Sequence, residues 1–145
     1  MLIERDRILE LIPHQGRMCL LDGVERWDDD SVRCVSRSHL DPANPLRRDG
    51  RLSAIHALEY GAQAMAVHGG LLNAAAGRRP APGLLVAARD LRLTVEYLDD
   101  IAEPLQVEAR RMLADGGNLI YSFSVRVGER ELASGRATVM SAGEV

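Results

Sequence analysis

A glutamate and a glutamine stand one helical turn apart within an apolar segment. Gln63 follows Glu59 by four positions, and this spacing places both side chains on one face of a helix. Because the neighbours are small or apolar, we expect a partly desolvated carboxyl group whose pKa is raised. A carboxyl group that stays partly protonated near neutral pH can act as a general acid. A glutamate paired at a subunit boundary would show the same pattern without a catalytic role.

His14 is the histidine best placed for proton transfer. It follows Pro13 at the turn between a helix pattern and a strand pattern, where a side chain can face a cleft. Histidine exchanges protons near neutral pH, so His14 is a candidate base. His39, in a loop, and His56, three positions before Glu59, are alternatives. His14 could instead have a structural role in capping the turn. The three-residue spacing of His56 and Glu59 would also allow a purely structural hydrogen bond.

The composition excludes several classes of protein. Of 145 residues, 46% are hydrophobic and 27% are charged, and no apolar run approaches the roughly 20 residues of a membrane span. The net charge of −3 does not indicate the basic surface that binds nucleic acid. Cys19 and Cys34 lack metal-ligand spacing and are expected to be small buried residues. We expect one domain, residues 1–145, in the cytoplasm, with no signal peptide, metal or cofactor.

The first third of the sequence predicts a short helix and a hairpin. An apolar face runs from Ile3 to Ile12, and Pro13 ends the helix because proline disfavours helical geometry in the residue before it. The apolar segment 18–27 and the strand-like segment 32–37 flank the acidic turn 28–31, which is typical of a β-hairpin. Residues 39–50 contain two prolines and a glycine among few apolar positions, which indicates an irregular loop.

One long helix is predicted from Leu52 to Ala76. The segment has no proline, is rich in Ala, Leu and Met, and is apolar on nearly every side, so we expect it to be buried. The glycine- and proline-rich run at 77–83 ends it. We expect His68 and the two glycines after it to allow close packing.

The rest of the sequence shows the two-residue alternation of β-strands. The alternating runs are Leu91–Tyr97, Leu105–Ala109, Tyr121–Val127 and Leu132–Met140, with acidic or glycine-containing turns between them. Two strands, one helix and about four further strands do not alternate as in a parallel βαβ protein. The expected fold class is α+β, with an antiparallel β-sheet wrapped around one long central helix. A second subunit would cover the remaining sheet edge.

Two segments resemble those of a known enzyme family, the hotdog-fold 3-hydroxyacyl-acyl carrier protein dehydratases. The first is Leu11-Ile12-Pro13-His14 with Met18-Cys19-Leu20-Leu21-Asp22-Gly23-Val24, and the second is Leu58-Glu59-Tyr60-Gly61-Ala62-Gln63-Ala64-Met65-Ala66. More narrowly, the chain resembles the dehydratase branch associated with aryl polyene gene clusters. That similarity lies in Pro13-His14, Gly50-Arg51-Leu52 and the segment 64–70. The resemblance covers the whole chain and implies a hotdog fold.

The resemblance also implies an activity and partners. It implies loss of water from a 3-hydroxyacyl thioester, carried by acyl carrier protein or coenzyme A, in fatty acid, polyketide or aryl polyene synthesis. It implies a homodimer, or a heterodimer with another hotdog dehydratase, whose sites join a histidine of one subunit to a glutamate of the other. No cofactor is implied.

The resemblance assigns roles to particular residues. Glu59 corresponds to the family's catalytic acid, whereas the usual histidine of the loop before the helix is missing, since no histidine lies between residues 40 and 55. We therefore expect His14 to approach Glu59 of the partner subunit as base or substrate orienter. We expect Gln63, Gly50 and His56 to bind the substrate.

Two other functions fit the same fold. The chain could be a non-catalytic acyl-binding or scaffold subunit of a hotdog dimer, because it lacks the usual loop histidine. It could also be an acyl thioesterase in which a carboxylate activates water.

Overall fold

A computed structural model describes residues 2–78 and 83–141 of the chain. The helices are α1 (Arg5–Leu11) and α2 (Ala57–Ala75). The strands are β1 (Ile3–Glu4), β2 (Gly23–Trp27), β3 (Ser31–Ser36), β4 (Gly83–Leu93), β5 (Leu105–Asp115), β6 (Asn118–Val127) and β7 (Arg130–Ser141). Short 3-10 turns lie at Gly16–Met18, Ser38–Leu40, Ala54–His56 and Leu98–Asp100.

The seven strands form one sheet in the order β1-β2-β3-β5-β6-β7-β4, and every neighbouring pair is antiparallel. One face of the sheet packs on α2. At Gly61 the contact is so close that an added Cβ atom would lie 2.6 Å from the Phe123 ring on β6. The predicted α+β class, an antiparallel sheet around one long helix, is confirmed.

The long helix begins with a 3-10 turn capped by Ser53, whose hydroxyl accepts the Ile55 N–H at 3.3 Å. Regular α-helix starts at Ala57 and not at Leu52, because the Leu52 N–H donates to Asp99 Oδ1 at 2.8 Å and the segment before the turn is extended. Most of α2 is buried, as predicted. The half-buried positions include a stripe at helical spacing, formed by Glu59, Ala62, Ala66, Gly69 and Asn73.

Other elements also differ in their bounds from the sequence prediction. The predicted N-terminal helix loses its first two residues to β1, which pairs Ile3 with Val24 of β2. Strand β4 starts at Gly83, well before the predicted Leu91, and ends at Leu93, where Thr94 donates its N–H to the Leu132 carbonyl. Strands β5 and β6 continue to a hairpin whose turn holds Gly116 and Gly117. Of the predicted linker, residues 79–82 lie outside the described residues.

No helix in the described part of the chain is long and apolar enough to cross a membrane.

Candidate active site

The loop after α1 carries His14. Ile12 is extended, with φ −122° and ψ 157°, because the residue before a proline avoids helical geometry. Gln15 then folds back over the helix end and donates from Nε2 to the carbonyls of Leu9 at 2.7 Å and Ile12 at 3.3 Å. These bonds satisfy carbonyls that have no partner inside the helix. His14 is thereby held between the helix end and the anchored Gln15.

The same loop is fastened to α2 by Gln63. The buried Gln63 accepts the Leu20 N–H at 2.8 Å and donates to the Met18 carbonyl at 2.7 Å. Its Nε2 also lies 3.2 Å from Oε1 of Glu59. Gln63 is fully buried and its amide is used by the protein's own groups, so its position does not support the expected role in substrate binding, which stays a prediction. Gln63 is a positioning residue for both the loop and Glu59.

His14 and Glu59 come together within one chain. Nε2 of His14 lies 3.5 Å from Oε1 of Glu59, and both side chains remain about one-third exposed, at 29% and 34%. The sequence prediction placed His14 beside Glu59 of the partner subunit, whereas here the two side chains of one chain approach each other. The contact across a dimer stays a prediction. The contact within the chain arises because α1 packs closely on α2: a Cβ atom at Gly70 would lie 2.9 Å from the Leu11 carbonyl oxygen. The loop that leaves α1 then passes beside Glu59.

The electrostatics of Glu59 differ from the prediction. The hydrogen bond with His14 lowers the pKa of Glu59 below its usual 4.5 and outweighs burial, which acts in the opposite direction. Gln63 and the positive end of α2 favour the carboxylate further, since Glu59 lies in the first helical turn. Glu59 is therefore ionised at neutral pH, and the expected raised pKa is corrected.

Only one ring nitrogen of His14 is available for proton exchange with the cavity. Nδ1 is buried and has no hydrogen-bond partner among the described residues. Nε2 faces Glu59. The pair thus presents one imidazole nitrogen and one carboxylate oxygen, which is the minimum set for transferring a proton away from and back to a substrate.

A cavity of about 530 Å³ contains this pair. Its volume lies within the usual range for small-molecule sites. The α2 wall runs from Glu59 to Asn73, a distance of about 20 Å at the rise of an α-helix. Further lining comes from small residues of α2 and from β4, β5, β6 and the β5–β6 turn, including Ala62, Ala66, Gly69, Leu85, Arg111, Gly116 and Tyr121. The small side chains leave room for an elongated ligand.

The other predicted site residues lie elsewhere. Gly50 occupies an exposed turn with φ 76°, where its carbonyl accepts from Arg47 at 2.7 Å. His56 lies at the start of α2, and burial lowers its pKa. Neither residue lines the cavity that holds His14 and Glu59. Direct substrate contact by Gly50 and His56 is therefore not supported by their positions.

Two further histidines are buried and used structurally. His39 donates from Nε2 to the Ile101 carbonyl at 2.9 Å. His68 donates from Nε2 to the Asp28 carbonyl at 2.9 Å, which leaves Nδ1 to accept the Tyr121 hydroxyl at 2.6 Å. Of the four histidines, His14 is the one that lines the cavity. Within residues 2–78 and 83–141, no cluster of His, Cys, Asp or Glu is arranged to hold a metal ion.

Sequence reasoning missed two features of the site. It did not identify Gln63 as the link between the His14 loop and Glu59, because that link depends on a contact between distant segments. It also missed the cavity wall formed by Ala62, Ala66 and Gly69. The recurrence of small residues every three or four positions after Glu59 was the available signal.

Comparisons with known proteins agree with this architecture. The model of the ApeP-like family, described as ApeP dehydratase, matches residues 6–145. The dehydratase heterocomplex ApeI:P from Xenorhabdus doucetiae contains a similar chain, with 23% identity, a TM-score of 0.83, and 92% and 90% of the two chains covered. No curated protein matches the sequence.

Two more distant structures have the same fold. A hypothetical thioesterase from Streptococcus pneumoniae, solved with coenzyme A, is 13% identical with a TM-score of 0.60, covering 83% of this chain and 85% of that one. An uncharacterised protein from Pyrococcus horikoshii is also 13% identical, with a TM-score of 0.63 and 92% of each chain covered. The expected hotdog fold is confirmed. Because the family model spans nearly the entire sequence, the chain belongs to the ApeP-like dehydratase family.

Proposed function

We propose that this chain removes water from a 3-hydroxyacyl thioester and that His14 and Glu59 carry out the proton transfers. The observation that carries the proposal is the 3.5 Å approach of His14 Nε2 to Glu59 Oε1 inside a cavity of about 530 Å³. Catalytic hydrogen bonds are often long before substrate binds and shorten in the complex. Membership of a dehydratase family supports the reaction type.

The contacts that favour the Glu59 carboxylate support its assignment as the base. The Glu59 carboxylate accepts the proton from the carbon next to the thioester carbonyl, and the electron pair of that C–H bond forms the new carbon–carbon double bond. The bond to the 3-hydroxyl group breaks, and His14 donates a proton from Nε2 to the departing hydroxyl so that water leaves. After product release, the proton passes from Glu59 to His14. Atoms and charge therefore balance without a cofactor.

The shape of the cavity supports an acyl substrate. Its α2 wall is about 20 Å long, and the small residues Ala62, Ala66 and Gly69 line it. An extended acyl chain could lie along this wall with its thioester end near Glu59. We propose that acyl carrier protein carries the acyl substrate. The matching coenzyme A thioester is the comparison substrate in the test below.

The free edge of the sheet supports a dimer. Strand β4 pairs with β7 on one side, and its other side forms the edge of the sheet among the described residues. Leu84, Leu85 and Val86 on this strand are exposed. An exposed apolar edge strand favours pairing with another chain. The partner is a second copy or another hotdog dehydratase, as in the ApeI:P heterocomplex, and it would lie beside the cavity at Leu85.

To test the function, the purified protein is incubated with acyl carrier protein that carries a 3-hydroxyacyl group. The acyl group is then analysed by mass spectrometry. We expect the 2-enoyl product, and slower conversion of the matching coenzyme A thioester. Release of the free acid would instead identify thioester hydrolysis. Bound but unchanged substrate would identify an acyl-binding subunit.

The edge pairing is tested by sedimentation of Val86→Lys, with Leu40→Lys as the control. Both side chains are exposed, and Leu40 lies in the 3-10 turn Ser38–Leu40 and not in a strand. We expect dissociation to monomers for Val86→Lys alone. Unchanged dimers in both variants would contradict the assignment of this edge.

A further inference from the structure

The sheet carries a second cavity, of about 510 Å³, on the face turned away from α2. On β6, Phe123 points toward α2 and contacts Gly61. Successive side chains of a strand point to opposite faces. Ser122 and Ser124 therefore lie on the outer face, where both line this cavity. We call it the outer groove.

The strand register aligns the polar residues of the outer groove in two rows. The first row is Ser31, Arg110, Ser122 and Arg136, on β3, β5, β6 and β7. The second row is Arg33, Glu108, Ser124, Ser134 and Arg92, on β3, β5, β6, β7 and β4. In the first row Ser122 lies between Arg110 and Arg136. In the second row Ser124 lies between Glu108 and Ser134, and the arginines are one strand further out. Hydroxyl groups therefore lie along the middle of the groove, and at Ser122 an arginine stands on each neighbouring strand.

The outer groove has a surplus of positive charge. Six arginines line it, together with the three acidic residues Asp90, Glu108 and Glu131. Arg33 pairs with Glu108 at 2.7 Å, and Arg126 pairs with Glu131 at 3.4 Å. The remaining four make no ion pair with the described residues, and they are Arg26, Arg92, Arg110 and Arg136. This surplus occurs in a chain whose net charge is −3.

The arrangement around Ser122 suits a phosphate group. Arg110 and Arg136 are register neighbours of Ser122 on the two adjacent strands, so their Cα atoms are about 10 Å apart at the usual strand spacing. Both arginine side chains are long enough to converge over the serine. Guanidinium groups bind phosphate oxygens through paired, charge-assisted hydrogen bonds, and the hydroxyl adds a third donor.

A second anion position lies one row along the strands. Ser134 and Arg92 are register neighbours there, about 7 Å from the first row because two residues of a strand span that distance. The cavity volume is in the range of nucleotide-sized ligands. We propose that the outer groove binds a phosphorylated small molecule of nucleotide size, with one phosphate held by Arg110, Ser122 and Arg136.

The proposal is tested by calorimetric titration with ADP, with uncharged adenosine as the comparison ligand. We expect ADP to bind and its affinity to fall as salt increases. Arg110→Gln and Arg136→Gln should each weaken ADP binding about tenfold or more. Arg37→Gln is the matched control, because Arg37 is exposed and lies outside the groove. Its affinity for ADP should equal that of the unmodified chain.

A second titration separates free nucleotides from the nucleotide end of coenzyme A, which carries the same phosphate chemistry. If ADP and coenzyme A bind equally well, the groove recognises the nucleotide part that the two ligands share. If ADP binds and coenzyme A does not, the groove binds free nucleotides. The proposal would be overturned if ADP did not bind. It would also be overturned if Arg37→Gln weakened ADP binding as much as the two groove variants do. Binding of poly-glutamate without ADP would overturn it in favour of an acidic protein segment. Glu59→Gln should leave ADP binding unchanged, so the result is independent of the proposed reaction.

Discussion

Gln63 donates from Nε2 to Oε1 of Glu59 over 3.2 Å, and the same side chain holds the loop that carries His14. One buried amide therefore fixes the position of both members of the pair. Two of its three bonds connect α2 to the backbone at Met18 and Leu20, and the third reaches Glu59 on α2 itself. The distance between His14 and Glu59 depends on a residue that does not reach the cavity.

Replacing Gln63 should loosen the site and destabilise the fold. Gln63→Ala leaves the Leu20 N–H and the Met18 carbonyl without their partner, which should cost about 2–4 kcal/mol in the free energy of unfolding. At a temperature where the variant is folded, kcat should fall more than KM rises, because the loss affects geometry more than binding. Urea denaturation and steady-state kinetics measure the two effects. Gln106→Ala, on the outer face of β5, is the control and should change neither quantity.

Adjacent glycines on α2 should respond differently to alanine. At Gly70 the added Cβ would lie 2.9 Å from the Leu11 carbonyl oxygen, whereas at Gly69 no atom lies within 4 Å. Gly70→Ala should therefore destabilise the protein by about 1–3 kcal/mol. Gly69→Ala should stabilise the helix by up to about 1 kcal/mol while narrowing the cavity. Thermal unfolding of both variants checks this, and a stable Gly70→Ala protein would contradict the close packing of α1 on α2.

Stability should decrease as the pH falls below 6.5. Burial lowers the pKa of His39 and His68 below that ordinary value. Between the lowered pKa and 6.5, the unfolded chain binds protons that the folded chain does not, so acid favours unfolding. Above 6.5 both states are neutral at these positions and the effect is absent. Urea denaturation at pH 7.5 and pH 5.5 measures the difference, and equal midpoints would contradict the burial of the two rings.

Both cysteine thiols should be unreactive in the folded protein. Burial raises the pKa of Cys34 to about 12 and raises that of Cys19 as well. The reactive species is the thiolate, so a disulfide reagent at pH 8 should label neither residue until denaturant is added. Rapid labelling of the native chain would mean that one of these side chains is exposed.

The sequence predicted the fold class well because the relevant signals are local. The apolar segment 52–76 and the alternation along β5, β6 and β7 report burial directly. The two-residue β1 carries no periodicity of its own. The early start of β4 at Gly83 was hidden because the apolar run after it does not alternate with polar residues.

The site was harder to predict because its chemistry depends on distant contacts. Glu59 stood out from its apolar surroundings, but its lowered pKa requires His14, which comes from a different element. The rows of the outer groove depend on strand register, which a single sequence does not specify. Ser122 and Arg136 read as ordinary exposed strand residues until β6 and β7 are paired.

We propose that His14 and Glu59 of the same chain form one site. Two hybrid dimers, purified through different tags on the two subunits, test it by their dehydration rate. Pairing His14→Gln with Glu59→Gln leaves no intact site if the pair lies within one chain. Pairing the unmodified chain with the double variant leaves one intact site of two. We expect the first hybrid to be slower than the unmodified dimer by about 10²–10⁴ and the second to retain about half of its rate. The reverse pattern, with activity in the first hybrid and none in the second, would mean that each site joins two subunits.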